Sequence, residues 1–168
     1  MYWGAYIACD IPTNVSVRLI DEAKNKLGEL SKFIAWHEPT YLHMTLHFLG
    51  WILDDKVDEI KNQINFKIDL ETTPFISSLG WNEEEKYLVL NVKKDNQLIK
   101  TYDLIESNLK EKCVFVKRQE FIPHISLGRI FPDKNSCFND VVLTNIKIEK
   151  INELEISLFE SVSKSIVL

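Results

Sequence analysis

The chain repeats itself once, at an offset of 81 residues, and that repeat narrows the folds open to it. His43-Met44-Thr45-Leu46 and His124-Ile125-Ser126-Leu127 share one pattern: histidine, apolar residue, hydroxyl residue, apolar residue. The same offset lays residues 6–11 onto residues 87–92, and both stretches read as strands. Each is followed by a segment of helical period. Residues 14–30 carry an apolar stripe of Val15, Leu19, Ala23, Leu27 and Leu30, with Thr13 or Asn14 as the cap. Residues 96–112 carry Leu98, Tyr102, Ile105 and Leu109, with Asn96 as the cap. Short strands come next at 66–70 and 75–81 in one half, and at 145–151 and 154–160 in the other. A short helix at 55–64 has a weaker counterpart at 134–141, and the charged run at 83–86 reads as a solvated hairpin turn.

Strand, helix, histidine strand, connector, strand, strand is an α+β order. It predicts antiparallel sheets with helices on their outer faces. With 168 residues, the chain is expected to form one bilobal domain, 1–168. Its two lobes are roughly residues 1–81 and 82–168, with strands open to exchange between them. A pseudo-two-fold axis between the lobes would set the two histidine strings on opposite sides of a central groove, where ligands tend to bind.

Alternation along a strand puts His43 and Thr45 on one face, with Met44 and Leu46 on the other. It does the same for His124 and Ser126 against Ile125 and Leu127. Histidine titrates near neutrality, so a pair can hold one neutral and one protonated ring at pH 7. That is the requirement of general acid–base catalysis. The two hydroxyls can donate hydrogen bonds to phosphate oxygens. Nothing in the pattern calls for a metal or cofactor. His43 and His47 are four apart, but no Glu follows His43 and the segment reads as a strand, against a zinc helix. No serine-hydrolase elbow, Walker A loop or dinucleotide-binding glycine motif is present.

Composition restricts the partners. A net charge of −5 argues against a broad duplex-binding surface and leaves room for a cleft gripping one phosphate. No apolar run approaches a membrane span, and the N-terminal segment reads as a first strand, not a signal peptide. Three widely spaced cysteines, Cys9, Cys113 and Cys137, fit a reducing cytoplasm, with Cys9 as a core residue. A monomer is expected.

Residues 42–50 (Leu-His-Met-Thr-Leu-His-Phe-Leu-Gly) and 121–129 (Phe-Ile-Pro-His-Ile-Ser-Leu-Gly-Arg) resemble the paired motifs of the 2H phosphoesterase superfamily. They are most similar to its LigT-like group, the RNA 2′,3′-cyclic phosphodiesterases also called 2′-5′ RNA ligases. Residues 6–12 resemble that family's opening strand, and residues 158–161 its near-terminal strand. Two positions depart: Ser126 stands where Thr is usual, and His47 where a basic residue is common. The resemblance implies a bilobal, pseudo-two-fold fold with two antiparallel sheets lining a metal-free groove.

The resemblance also implies an enzyme and a division of labour. His43 would be the proton donor, His124 the acceptor, and Thr45 and Ser126 would hold the nonbridging oxygens. The implied substrates are RNA 3′ ends or small nucleotides bearing a 2′,3′-cyclic phosphate. The alternatives are cleavage of 2′-5′ linkages, as in 2′,5′-oligoadenylate, and a non-catalytic RNA-end or nucleotide-binding module. Arg129 is a further candidate contact, but simple alternation puts it opposite His124, so a groove role needs a bulge. Trp36 and Phe121 are read as core rings that could instead stack on a base. His37 is read as solvated, and Lys117 and Arg118 either as positive charge at the groove rim or as a simple exposed turn.

Overall fold

The computed structural model describes residues 2–70, 76–80, 86–112, 114, 120–138 and 151–160. Strand β1 (Tyr2–Asp10) leads into helix α1 (Thr13–Leu27), which continues as a 3-10 turn over Gly28–Phe33. Next come β2 (Ile34–Trp36), a 3-10 turn at Pro39–Tyr41, and the first histidine strand β3 (His43–Leu53). Helix α2 (Val57–Gln63), β4 (Lys67–Leu70), β5 (Ile76–Gly80) and β6 (Lys86–Asn91) come after it. Helix α3 (Asn96–Glu111), the second histidine strand β7 (His124–Ile130) and β8 (Ile151–Glu160) complete the described elements. The weak helix expected at 134–141 is a 3-10 stretch, Pro132–Phe138. The strand expected at 145–151 lies outside the described residues except for Ile151.

The helix starts differ from the expected caps. Asp95, not Asn96, caps α3: its carboxylate accepts from the Leu98 amide at 2.7 Å. Neither Thr13 nor Asn14 caps α1, which begins after Pro12 with no side-chain cap.

All described strand pairs are antiparallel, in the order β4-β8-β1-β3-β7-β6-β5, with β2 added to β7. The two expected sheets meet edge to edge at one register pair, Met44 with Ile125, both fully buried. Strands are exchanged about this junction. β5, from the first half of the sequence, pairs with β6; β8, from the second half, pairs with β1. The apolar back of both motifs packs into one core with Leu19, Ile20 and Ala23 of α1 and Leu98, Ile105 and Leu109 of α3.

The offset of 81 holds at the level of single hydrogen bonds. The Ile11 amide donates to the Leu42 carbonyl at 3.0 Å, and the Val92 amide donates to the Pro123 carbonyl at 2.9 Å. The register against β1 skips Leu46, and the register against β6 skips Leu127, so each motif ends in a bulge at the same position. The extra residue reverses which face the later side chains occupy. His47 turns into the core, 2% exposed, and Phe48 turns out, whereas unbroken alternation would do the opposite. In β7, Arg129 moves to the face of Ser126. A second skip at Leu49 is followed by Gly50, whose φ of 69° suits glycine.

Gly128 occupies the position equivalent to His47, and β2 fills the space a side chain would take. A Cβ there would lie 2.7 Å from the Ala35 carbonyl oxygen and 2.7 Å from Ile34 Cγ2. Gly128→Ala is therefore expected to cost about 1–3 kcal/mol of folding stability, read as a lowered urea midpoint. An unchanged midpoint would contradict the packing described.

Candidate active site

The junction between β3 and β7 builds the site. With Met44 paired to Ile125, their neighbours His43, Thr45, His124 and Ser126 face the same side. These four, with His37 and Tyr41, line a cleft of about 250 Å³. The four motif residues expected to share a groove thus stand in one cleft, two from each strand.

Both imidazoles are held alike. His43 Nδ1 lies 2.8 Å from the Tyr41 carbonyl, and His124 Nδ1 lies 2.8 Å from the Ile122 carbonyl, each two residues upstream. A carbonyl only accepts, so Nδ1 carries the proton in both rings and Nε2 is the nitrogen left for chemistry. Tyr6 packs over His43 at 5.1 Å between ring centroids and stacks on Phe159 at 5.3 Å, so one ring face of His43 is covered.

The flanking charges are unequal. Asp10 lies directly across β1 from His43, and Asn91 lies directly across β6 from His124. These are equivalent positions in the repeat, one anionic and one neutral. Burial raises the Asp10 carboxyl above its ordinary value, and the charge of His43 draws it back down.

Other expectations resolve individually. His37 is not solvated: it is half-buried in the cleft, because its amide donates to the Leu127 carbonyl at 2.9 Å and extends β2 along β7. The Pro39–Tyr41 turn then returns the chain to His43. The five residues between the two histidines, with Pro39 among them, are the signal in the sequence that His37 lies near His43. Arg129 is exposed beyond the bulge and is not among the residues lining the cleft.

Trp36 is partly buried, and its Nε1 donates to the Ser31 carbonyl at 3.0 Å. Phe121 stacks on Tyr102, with centroids 4.1 Å apart. Neither ring lines the cleft. Cys9 is fully buried, and burial with Asp10 nearby pushes its thiol up to about 12, as suits a core residue. Lys117 and Arg118 lie outside the described residues. No three His, Cys, Asp or Glu side chains among the described residues are grouped to hold a metal ion. No helix among them is long and apolar enough to cross a membrane.

Comparison with known proteins agrees with this fold. The RNA 2′,3′-cyclic phosphodiesterase of Methanocaldococcus jannaschii is 27% identical, covering 93% of this chain and 85% of its own. That of Thermotoga maritima is 26% identical, over 77% and 72%. Escherichia coli LigT in apo form matches with a TM-score of 0.62 at 17% identity, over 97% of this chain and 90% of that one. LigT complexed with 3′-AMP has the same TM-score and identity. No family model matches the chain. The fold is that of a 2H phosphoesterase. The chain is similar in fold to LigT and in sequence to RNA 2′,3′-cyclic phosphodiesterases.

His47, beside the first motif, is structural. Its Nε2 donates to the Tyr102 carbonyl at 3.0 Å, and its ring stacks on that of Tyr102 at 4.0 Å. Burial holds it below the usual value near 6.5, partly offset by the Tyr102 carbonyl and Glu106. The unfolded chain therefore binds a proton here before the folded one does, and stability falls as pH drops below about 6.5. His47→Phe keeps the stack and removes this contribution. The urea midpoint should fall less between about pH 7 and pH 5 in the variant than in the wild type. An identical fall would assign the pH dependence elsewhere.

Proposed function

We propose that the protein is a metal-independent phosphodiesterase that opens 2′,3′-cyclic phosphates at RNA ends to 2′-phosphomonoesters. One observation carries this reading. Two imidazoles from matched strands, each tied through Nδ1, stand in one cleft with two hydroxyls. The names of the similar archaeal and bacterial proteins support the same reaction. In the proposed step His124 Nε2 takes a proton from water as the water oxygen attacks phosphorus. The P–O3′ bond breaks, and His43 gives its Nε2 proton to O3′. Thr45 and Ser126 donate to the nonbridging oxygens.

The unequal neighbours favour this division of roles. The anionic Asp10 lies beside His43, the donor, whereas the matched neighbour of His124, the acceptor, is the neutral Asn91. Residues 1–168 would act as one domain, with lobes 1–81 and 82–168 each supplying one histidine. A substrate reaching Arg129 would extend past the cleft.

His43→Ala and His124→Ala should each lose about 10²–10⁴ in turnover of a 2′,3′-cyclic-ended oligonucleotide. Equal turnover in all three proteins would end this mechanism, and cleavage confined to 2′-5′ linkages would replace the substrate. The pH–rate profile should be a bell. Asp10→Asn removes the anion beside the proton donor and should lower turnover of the cyclic substrate about 2- to 5-fold. Unchanged turnover would leave Asp10 without a part in the division of roles.

A further inference from the structure

His37 is the one imidazole in the cleft to which the proposed reaction gives no task. It is fixed from the opposite strand, because its backbone amide bonds the carbonyl of Leu127, the bulge residue of the second motif. Its side chain nonetheless lines the same cleft as that of His43. Tyr41 is the other cleft residue outside the two motifs. Its carbonyl orients His43, and its side chain is 70% exposed at the mouth.

In-line displacement sets where a substrate lies relative to these two residues. Water attacks from the side of His124, and the leaving O3′ points to His43. The ribose carries O3′, so the terminal nucleoside leaves the cleft past His43, and the described lining there is His37 and Tyr41.

We propose that His37 is a specificity-determining contact that hydrogen-bonds the terminal nucleoside of the cyclic phosphate substrate. The proposal rests on the phosphodiesterase reading above. A neutral imidazole suits the task, since it donates through one nitrogen and accepts through the other. Burial, reinforced by the charge on His43, holds His37 below the ordinary histidine value. It therefore stays uncharged at neutral pH and does not compete with His43 for the role of cation.

The test separates contact with the nucleoside from an effect on the chemistry. His37→Ala keeps the backbone bond to Leu127. It is expected to raise KM for a nucleoside 2′,3′-cyclic phosphate about 5- to 10-fold, the worth of one net hydrogen bond, with kcat within about two-fold. His37→Asn, which retains a donor and an acceptor, should recover part of that loss. The same fold-change is expected on a 2′,3′-cyclic-ended oligonucleotide, because the terminal nucleoside is common to both.

Ethylene phosphate, a cyclic phosphodiester without a nucleoside, should be turned over equally by wild type and His37→Ala. Unchanged KM on the nucleotide substrates would overturn the proposal. So would a fall in kcat alone, or a loss that persists on ethylene phosphate, since each would place His37 in the chemistry or outside the site. If wild type turns over nucleotide substrates and His43→Ala does not, failure of the His37 test leaves the phosphodiesterase reading standing. If wild type turns over neither substrate, both fail.

Discussion

The pairing of Met44 with Ile125 is the contact on which the site depends. Each histidine strand is held on its other edge by its own partner, β1 or β6, and among the described residues only this register pair joins β3 to β7. Both residues are fully buried, so a slip of one residue would expose an apolar side chain and bury an imidazole. Because the pair is antiparallel, the residues beside it reach the cleft in opposite order. His43 falls next to Ser126, and Thr45 next to His124. A phosphate placed there meets an imidazole and a hydroxyl from each direction.

The repeat supplies near-equivalent halves, and the proposed reaction needs them to differ. The backbone is duplicated closely: the same bulge, the same Nδ1–carbonyl tie and the same amide bond into the preceding segment recur at an offset of 81. The differences lie in side chains at matched positions. Asp10 faces Asn91 in the correspondence, His47 faces Gly128, and Phe48 faces Arg129. The first sets unequal charge beside the two imidazoles. The second decides what covers the core after each bulge: a histidine stacked on Tyr102 in one half, and the backbone of β2 in the other.

The motif faces are legible in the sequence because alternation over four residues is local, and a strand with an apolar back has one way to sit on a core. The offset is legible for the same reason, since it compares local patterns. The path of the chain beyond each motif is not. A bulge is set by register against a partner strand, and neither Leu46 nor Leu127 differs from an ordinary strand residue. Unbroken alternation therefore puts Arg129 on the wrong face, and it gives no sign of the packing around His47 and Gly128. His37 reads as solvated because a three-residue strand carries no period, and its position depends on a bond to the distant residue Leu127. The cap of α3 falls one residue early, at Asp95 instead of Asn96, as two adjacent residues of similar capping ability allow.

The most direct measurement is a crystal structure with a nucleoside 2′-monophosphate, the product of the proposed reaction. The phosphate is expected between His43 and His124, with both Nε2 atoms and the hydroxyls of Thr45 and Ser126 within hydrogen-bond distance of its oxygens. A phosphate bound elsewhere, or held by one histidine with the other turned away, would contradict a site built from both halves of the repeat.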